Sequence, residues 1–244
     1  MAGKTAIGLN PALDRERLRA EFAERGRLQI ADVLLPEAAE RMARCMEEET
    51  RWSFTWFDGE AACIADWQRM NEVTPEEWRK LSHSILKLAR EDFAYAYGFY
   101  PMQEALRTGA DPGLFLHDFF AFLESEEMMT LIRDLLGDPS VSLVDAQATR
   151  FGPGQFLTWH NDLVKDAHRR CAYVFNFTRR WRPDWGGYLQ FWDRNGNGLE
   201  SFRPAFNMLN IFRVPQPHSV GCVAPFAGAY RYAVSGWYRA RSDG

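Results

Sequence analysis

Cysteine is scarce in this chain and scattered. The four, Cys45, Cys63, Cys171 and Cys222, include no Cys-x-x-Cys pair. That argues against a thiolate zinc cluster and against a disulfide framework, and it fits a reducing compartment, the cytoplasm. No apolar run approaches the roughly 20 residues that a membrane span needs. Met1-Ala2-Gly3-Lys4 lacks the apolar stretch of a signal peptide. An excess of positive charge is missing too: the net charge is −4, which argues against a general nucleic-acid binder. There is no internal repeat and no low-complexity segment. What the chain does have is core material, with 46% hydrophobic residues and nine tryptophans in 244 residues. One domain over residues 1–244 is the expectation.

The chain reads as α+β. Residues 1–137 look mainly helical, with a few strands. Asn10-Pro11 predicts a helix start and Gly26 its stop. Residues 28–34 alternate briefly as a strand, Pro36 opens a helix through about Glu49, and residues 52–57 read as a second strand. Thr74-Pro75-Glu76-Glu77 is a capping box with proline at the first helical position, predicting a helix to about Tyr95. Ser125 caps a helix ending at Gly137. Within 138–244 the grammar changes to short apolar or alternating runs separated by Gly, Pro, Asn and Asp. They are 141–151, 155–160, 171–178, 188–192, 201–202, 207–212, 219–223 and 231–239. About eight such strands predict a sandwich or barrel, with a hairpin loop at 193–198. The N-terminal helices are expected to cover one outer face of it.

The chemistry is carried by Trp159-His160-Asn161-Asp162 and, 58 residues further on, Pro217-His218-Ser219-Val220. In an extended segment, residues two apart share a face with α-carbons ~6–7 Å apart, so His160 and Asp162 can converge on one ion. His218 must arrive from another strand. Two imidazoles and one carboxylate form the facial triad of non-haem Fe(II) oxygenases and leave coordination positions open. A structural zinc site would fill four. His83, His117 and His168 have no partner at useful spacing and are read as non-ligands. Thirteen residues after His218, Arg231 opens the run Arg231-Tyr232-Ala233-Val234-Ser235-Gly236-Trp237. Gly221, Pro225 and Gly228 allow the chain to turn between the two, which predicts Arg231 beside the strand of His218, pointing inward. A guanidinium there would grip a carboxylate with two parallel bonds.

With these residues in place, the chain resembles the 2-oxoglutarate- and Fe(II)-dependent oxygenases, in their prolyl-hydroxylase-like branch. The resemblance covers roughly residues 141–240. Phe151-Gly152-Pro153-Gly154-Gln155 is similar to the family's Tyr-x-x-Gly-Gln segment. Trp181 followed by Trp185-Gly186-Gly187-Tyr188-Leu189 is similar to its Trp…Gly-Gly-x-Leu stretch. His218-Ser219-Val220 matches His-x-Val, and the run from Arg231 to Trp237 matches Arg-Tyr-Ala-x-x-x-Trp. Within the branch the chain looks closest to the bacterial relatives of the ribosomal-protein prolyl hydroxylases. It departs at Phe151, where relatives often carry a tyrosine, and at Asn176, where they often carry another.

The resemblance implies a double-stranded β-helix, or jelly roll, with the site at its open end. It implies Fe(II) on His160, Asp162 and His218, with 2-oxoglutarate and O2 as co-substrates and ascorbate in support. Arg231 would pair with the distal carboxylate of 2-oxoglutarate, Asn176 would be a second contact, and Leu189 would line the pocket. The expected reaction is hydroxylation of a prolyl residue in a protein or peptide. The alternative substrate is a small molecule such as free proline or a natural-product intermediate. A non-catalytic barrel that binds metal or a small acid is a third reading, disfavoured by the complete triad. A nucleic-acid demethylase would predict a basic groove and Arg-x-Asn, and a zinc hydrolase would not explain Arg231. Arg169, Arg170, Arg179, Arg180 and Arg182 cluster around one strand and could receive an acidic target or be solvated loop edges. Met42, Met46 and the apolar face of their helix could serve equally as core or as a homodimer interface.

Overall fold

The computed structural model describes residues 5–241. The N-terminal part runs α1 (Arg15–Arg25), β1 (Arg27–Ala31), α2 (Pro36–Arg44) with a π-helical turn (Cys45–Glu49), β2 (Ser53–Phe57), β3 (Ala62–Ala65) and α3 (Trp67–Glu72). It continues with α4 (Pro75–Leu88), β4 (Tyr95–Tyr100), α5 (Met102–Thr108), α6 (Phe115–Leu123) and α7 (Glu126–Leu136). Eight strands follow: β5 (Val141–Phe151), β6 (Phe156–His160), β7 (Arg169–Asn176), β8 (Leu189–Trp192), β9 (Gly198–Phe202), β10 (Met208–Arg213), β11 (His218–Val220) and β12 (Arg231–Ala240).

The helix signals act through their caps. Asp14 accepts from the Arg17 N–H, and Gly26 closes α1 in the left-handed conformation. Asn10 instead makes a local turn, its side chain accepting from the Ala12 N–H, so the helix starts later than Asn10-Pro11 suggests. The Thr74–Glu77 capping box forms in full, and Ser125 and Gly137 bound α7. The helix from Pro75 stops at Leu88 and does not reach Tyr95. The aromatic alternation Tyr95, Tyr97, Phe99 makes residues 95–100 a strand, which the helical periodicity hid.

Among the described residues the strands pair antiparallel, in the order β1-β10-β7-β12-β5-β4-β6-β11-β8-β9, with β2 and β3 appended to β4. The strands β10-β7-β12-β5 form one half and β6-β11-β8-β9 the other. Each half alternates early and late strands, which is the winding of a double-stranded β-helix. β4 bridges the halves by pairing both β5 and β6.

Period-2 alternation assigns the faces. Along β12, Val234 and Tyr238 join the large core under the helices, where Phe22, Met42, Phe119 and Ile132 also pack. Met42 and Met46 are fully buried there, so they are core. Arg231, Ser235 and Trp237 face the opposite way, into a cavity between the halves. Ile85 of α4 and Trp78 pack on Phe54, Ala96 and Phe156 at the β2–β4–β6 side. Gly236 is where β12 approaches its neighbour most closely: an added Cβ would lie 1.8 Å from the Asp145 carbonyl oxygen. Gly236→Ala is therefore expected to cost about 3 kcal/mol through overpacking. That lowers the melting temperature by roughly 6–12 °C in a chain of this length, a shift that calorimetry resolves.

Candidate metal centre and its cavity

His160 ends β6, and His218 opens β11, directly opposite it in the antiparallel register. The two imidazole rings lie 4.1 Å apart, centroid to centroid. Asp162 lies just beyond the strand, with φ of 61°. So the His-x-Asp pair does not share the face of one extended strand, as the spacing suggested. The chain turns at Asn161, whose side chain accepts from the Leu163 N–H, and Asp162 takes the left-handed conformation that aspartate tolerates. The turn brings its carboxylate 3.4 Å from His160 Nε2 and 3.5 Å from His218 Nε2. One ligand atom from each of the three residues lies within 4.8 Å of the others.

Both imidazoles are oriented by the backbone two residues upstream. His160 Nδ1 lies 2.9 Å from the Thr158 carbonyl oxygen, and His218 Nδ1 lies 2.7 Å from that of Gln216. A carbonyl accepts only, so each Nδ1 carries the proton and each Nε2 lone pair is left for the carboxylate side, the outer-shell arrangement of a metal-binding histidine. Burial pushes His218 down to about 4, with His160 adding to the shift, and it stays neutral at pH 7. Burial works to raise Asp162, but the neighbouring His160 and His218 outweigh it and hold the carboxyl below its usual range. Arg169 steadies the turn: its Nη1 donates to the Asp162 carbonyl at 3.0 Å while its guanidinium stacks 3.5 Å over Trp237.

The triad opens into a cavity of 520 Å³ that Arg231, Leu189, Tyr97, Gln147 and Thr149 also line. Arg231 is only 2% exposed. Among the described residues no hydrogen-bond partner meets its Nε. Its guanidinium instead lies 5.1 Å from the centre of the Phe151 ring. Burial pulls its pKa down to about 10, with no acid raising it. A buried cation without an anion costs stability, and the arrangement fits an anionic ligand. Gly187 gives it room, since an added Cβ would press on Trp181 and Val223 at 3.1 Å each and come within 3.7 Å of Arg231 Cδ.

Two expectations need correcting, and one open alternative is decided. Arg231 does not lie beside the strand of His218: β12 sits between β5 and β7, on the other half, and Arg231 reaches the cavity from across it. Asn176 is not among the cavity-lining residues. Its amide nitrogen donates to the Val174 and Met208 carbonyls, and only Oδ1 is left without a partner. An acceptor repels a carboxylate, so Asn176 offers 2-oxoglutarate no donor. The arginine cluster is dispersed: Arg170 pairs with Asp138, Arg179 with Glu40 and Glu47, and Arg182 with Asp184. Leu189 is buried against Phe191, Phe202 and Phe212 and shapes the cavity wall. Tyr95, Tyr97, Gln147 and Ser235, none of them assigned a role from sequence, also line the cavity, and so does Arg169 of the basic cluster. The alternation of aromatics at 95–99 was the one signal for the first two.

A jelly roll holding two histidines and a carboxylate at its mouth, with a buried cation inside, is the architecture of a non-haem iron oxygenase. Residues 146–239 match the family model of the 2OG-Fe(II) oxygenase superfamily. No curated protein matches it in sequence. Its fold is similar to that of a prolyl-4-hydroxylase from Pseudomonas putida, at 17% identity and a TM-score of 0.55, over 93% of this chain and 100% of that one. It is also similar to a prolyl hydroxylase from Trichoplax adhaerens solved with a peptide fragment of the hypoxia inducible factor oxygen degradation domain. Identity there is 14% and the TM-score 0.62, over 93% of this chain and 89% of that one. A 2OG-Fe(II) oxygenase family oxidoreductase from Burkholderia pseudomallei aligns at 13% identity and a TM-score of 0.59, over 96% of each chain. At these identities the likeness is one of fold.

Proposed function

We propose that this chain is a 2-oxoglutarate- and Fe(II)-dependent oxygenase that hydroxylates a prolyl residue of a protein or peptide in the cytoplasm, working as one domain over residues 1–244. His160, Asp162 and His218 would hold Fe(II), and Arg231 would pair with the distal carboxylate of 2-oxoglutarate. The observation that carries the cofactor assignment is the pairing, in one cavity, of an all-N/O triad with a buried guanidinium that has no anion. When bound, iron with 2-oxoglutarate and O2 supplies an oxidative decarboxylation, to succinate and carbon dioxide, that is coupled to oxygen transfer into a substrate C–H bond. The chain's own residues bind and orient. Thr158 and Gln216 carbonyls fix the imidazoles, Arg169 fixes the turn at Asp162, and Leu189, Phe212 and Val220 keep the wall apolar.

The peptide reading draws support from the cavity mouth. Leu163 and Val164 line the cavity yet are 67% and 51% exposed, an apolar lip that a peptide could cover. The peptide bound to the Trichoplax adhaerens neighbour points the same way. The test is a panel of proline-containing peptides beside free proline, with Fe(II), 2-oxoglutarate and ascorbate, read by mass spectrometry. The reading expects a gain of one oxygen on a peptide proline. Oxygen gained by the free amino acid alone would transfer the assignment to small-molecule hydroxylation.

A further inference from the structure

Resting on the 2-oxoglutarate reading of this cavity, we infer that Tyr97 supplies a hydroxyl hydrogen bond to a carboxylate of that co-substrate. Tyr97 comes from β4, outside the 146–239 segment that matches the family model. The register sets it next to the buried arginine. Gly98 pairs with Arg150, so Tyr97 falls opposite Phe151, and Phe151 pairs with Arg231. Arg231, Phe151 and Tyr97 thus form one row across three adjacent strands, and all three line the cavity. The Tyr97 ring stacks on Phe151 at 4.7 Å, so Phe151 is the apolar spacer of the row and Tyr97 carries its one hydroxyl.

The direction of the hydroxyl is set by its neighbour. Gln147 Nε2 donates to the Tyr97 oxygen at 3.3 Å. That contact uses the phenol as an acceptor and leaves its own proton with no acceptor among the hydrogen bonds of the described residues. Burial raises the phenol to about 12, so the proton is present throughout the working pH range. Two further hydroxyls that line the cavity are already committed, since Thr149 Oγ1 donates to the Ala233 carbonyl at 3.2 Å and the Tyr173 hydroxyl to the Asp145 carbonyl at 2.9 Å. Asn176 has spent its donors on the backbone. Among these groups, Tyr97 alone brings a free donor to an anion in the cavity, where a bond to a charged acceptor is strong.

The experiment is calorimetric binding of 2-oxoglutarate to the full chain loaded with Mn(II), which supports binding without turnover, in wild type and Tyr97→Phe. Phenylalanine keeps the ring and its stack on Phe151. Binding of 2-oxoglutarate is expected to weaken about 10-fold or more, with Mn(II) affinity and melting temperature held close to wild type. A parallel titration with 2-oxopentanoate, which lacks the distal carboxylate, locates the contact. Loss confined to 2-oxoglutarate puts the hydroxyl at the distal end, and equal loss for both puts it at the keto-acid end. Wild-type affinity in Tyr97→Phe would overturn the assignment while leaving the cofactor reading intact. Absence of 2-oxoglutarate binding by the metal-loaded wild type would overturn both.

Discussion

Replacing Arg231 by methionine is expected to weaken 2-oxoglutarate binding about 100-fold or more, while the ligand-free protein becomes no less stable than the wild type. The two halves of that result have one cause. The guanidinium sits in a buried site, and burial alone moves its pKa from the ordinary 12.5 to about 10. The charged form is therefore disfavoured in the folded state, by about 3 kcal/mol for a gap of that size. At neutral pH, below both values, that penalty is fully present. It fades only as the pH rises through 10, where the folded-state group begins to lose its proton. Methionine fills similar space and carries no charge, so the penalty disappears with the substitution. A carboxylate brought into the cavity would offset the same penalty in the wild type, which is why binding depends on the arginine. Thermal unfolding with and without 2-oxoglutarate reads both effects: wild type should gain melting temperature with ligand, and Arg231→Met should not. An Arg231→Met protein that is destabilised without ligand would show that the arginine is a structural strut.

Asp162→Ala is expected to lower metal affinity by more than about 100-fold, because losing a direct ligand exceeds the 10–100-fold effect of altering an outer-shell partner. The carboxylate stands within 3.5 Å of both Nε2 atoms, so it is the group that completes a three-point grip. Two imidazoles alone would remain, each still oriented by its backbone carbonyl. The fold should tolerate the change. Asp162 lies beyond the end of β6, and alanine keeps the 3.0 Å bond from Arg169 Nη1 to its backbone oxygen while losing only the longer 3.8 Å ion pair to the carboxylate. Cobalt(II) titration followed by absorbance measures the affinity, and unchanged circular dichroism separates metal loss from unfolding. Near-wild-type Co(II) binding would remove Asp162 from the site.

The core strands were readable because a sheet with two different faces enforces alternation. β5 and β12, each covered by helices on one side and bordering the cavity on the other, match the expected spans closely. The triad was readable because its residue types are rare in apolar strands. Its backbone was not, since the positive φ of Asp162 leaves no mark in a three-letter motif. The position of Arg231 failed for a topological reason. Adjacency in sequence suggested adjacency in space, but the chain crosses from β11 in one half to β12 in the other, where β12 lies between β5 and β7. Asn176 failed at the level of single hydrogen bonds, which only the packed structure assigns. The helix predicted to run through Tyr95 concealed β4, and with it Tyr97. The periodicity from Thr74 is strong, and a six-residue strand of alternating aromatics is a weak signal beside it.

The most direct test of the central claim is succinate formation from 2-oxoglutarate by the purified protein under air, with Fe(II) and ascorbate. Wild type, His160→Ala and Arg231→Ala are compared, and Fe(II)-dependent 2-oxoglutarate binding is followed in the same samples. The expected result is iron-dependent succinate from the wild type alone. No succinate from the wild type, together with no iron-dependent binding of 2-oxoglutarate, would contradict the assignment of this triad and arginine to 2-oxoglutarate chemistry.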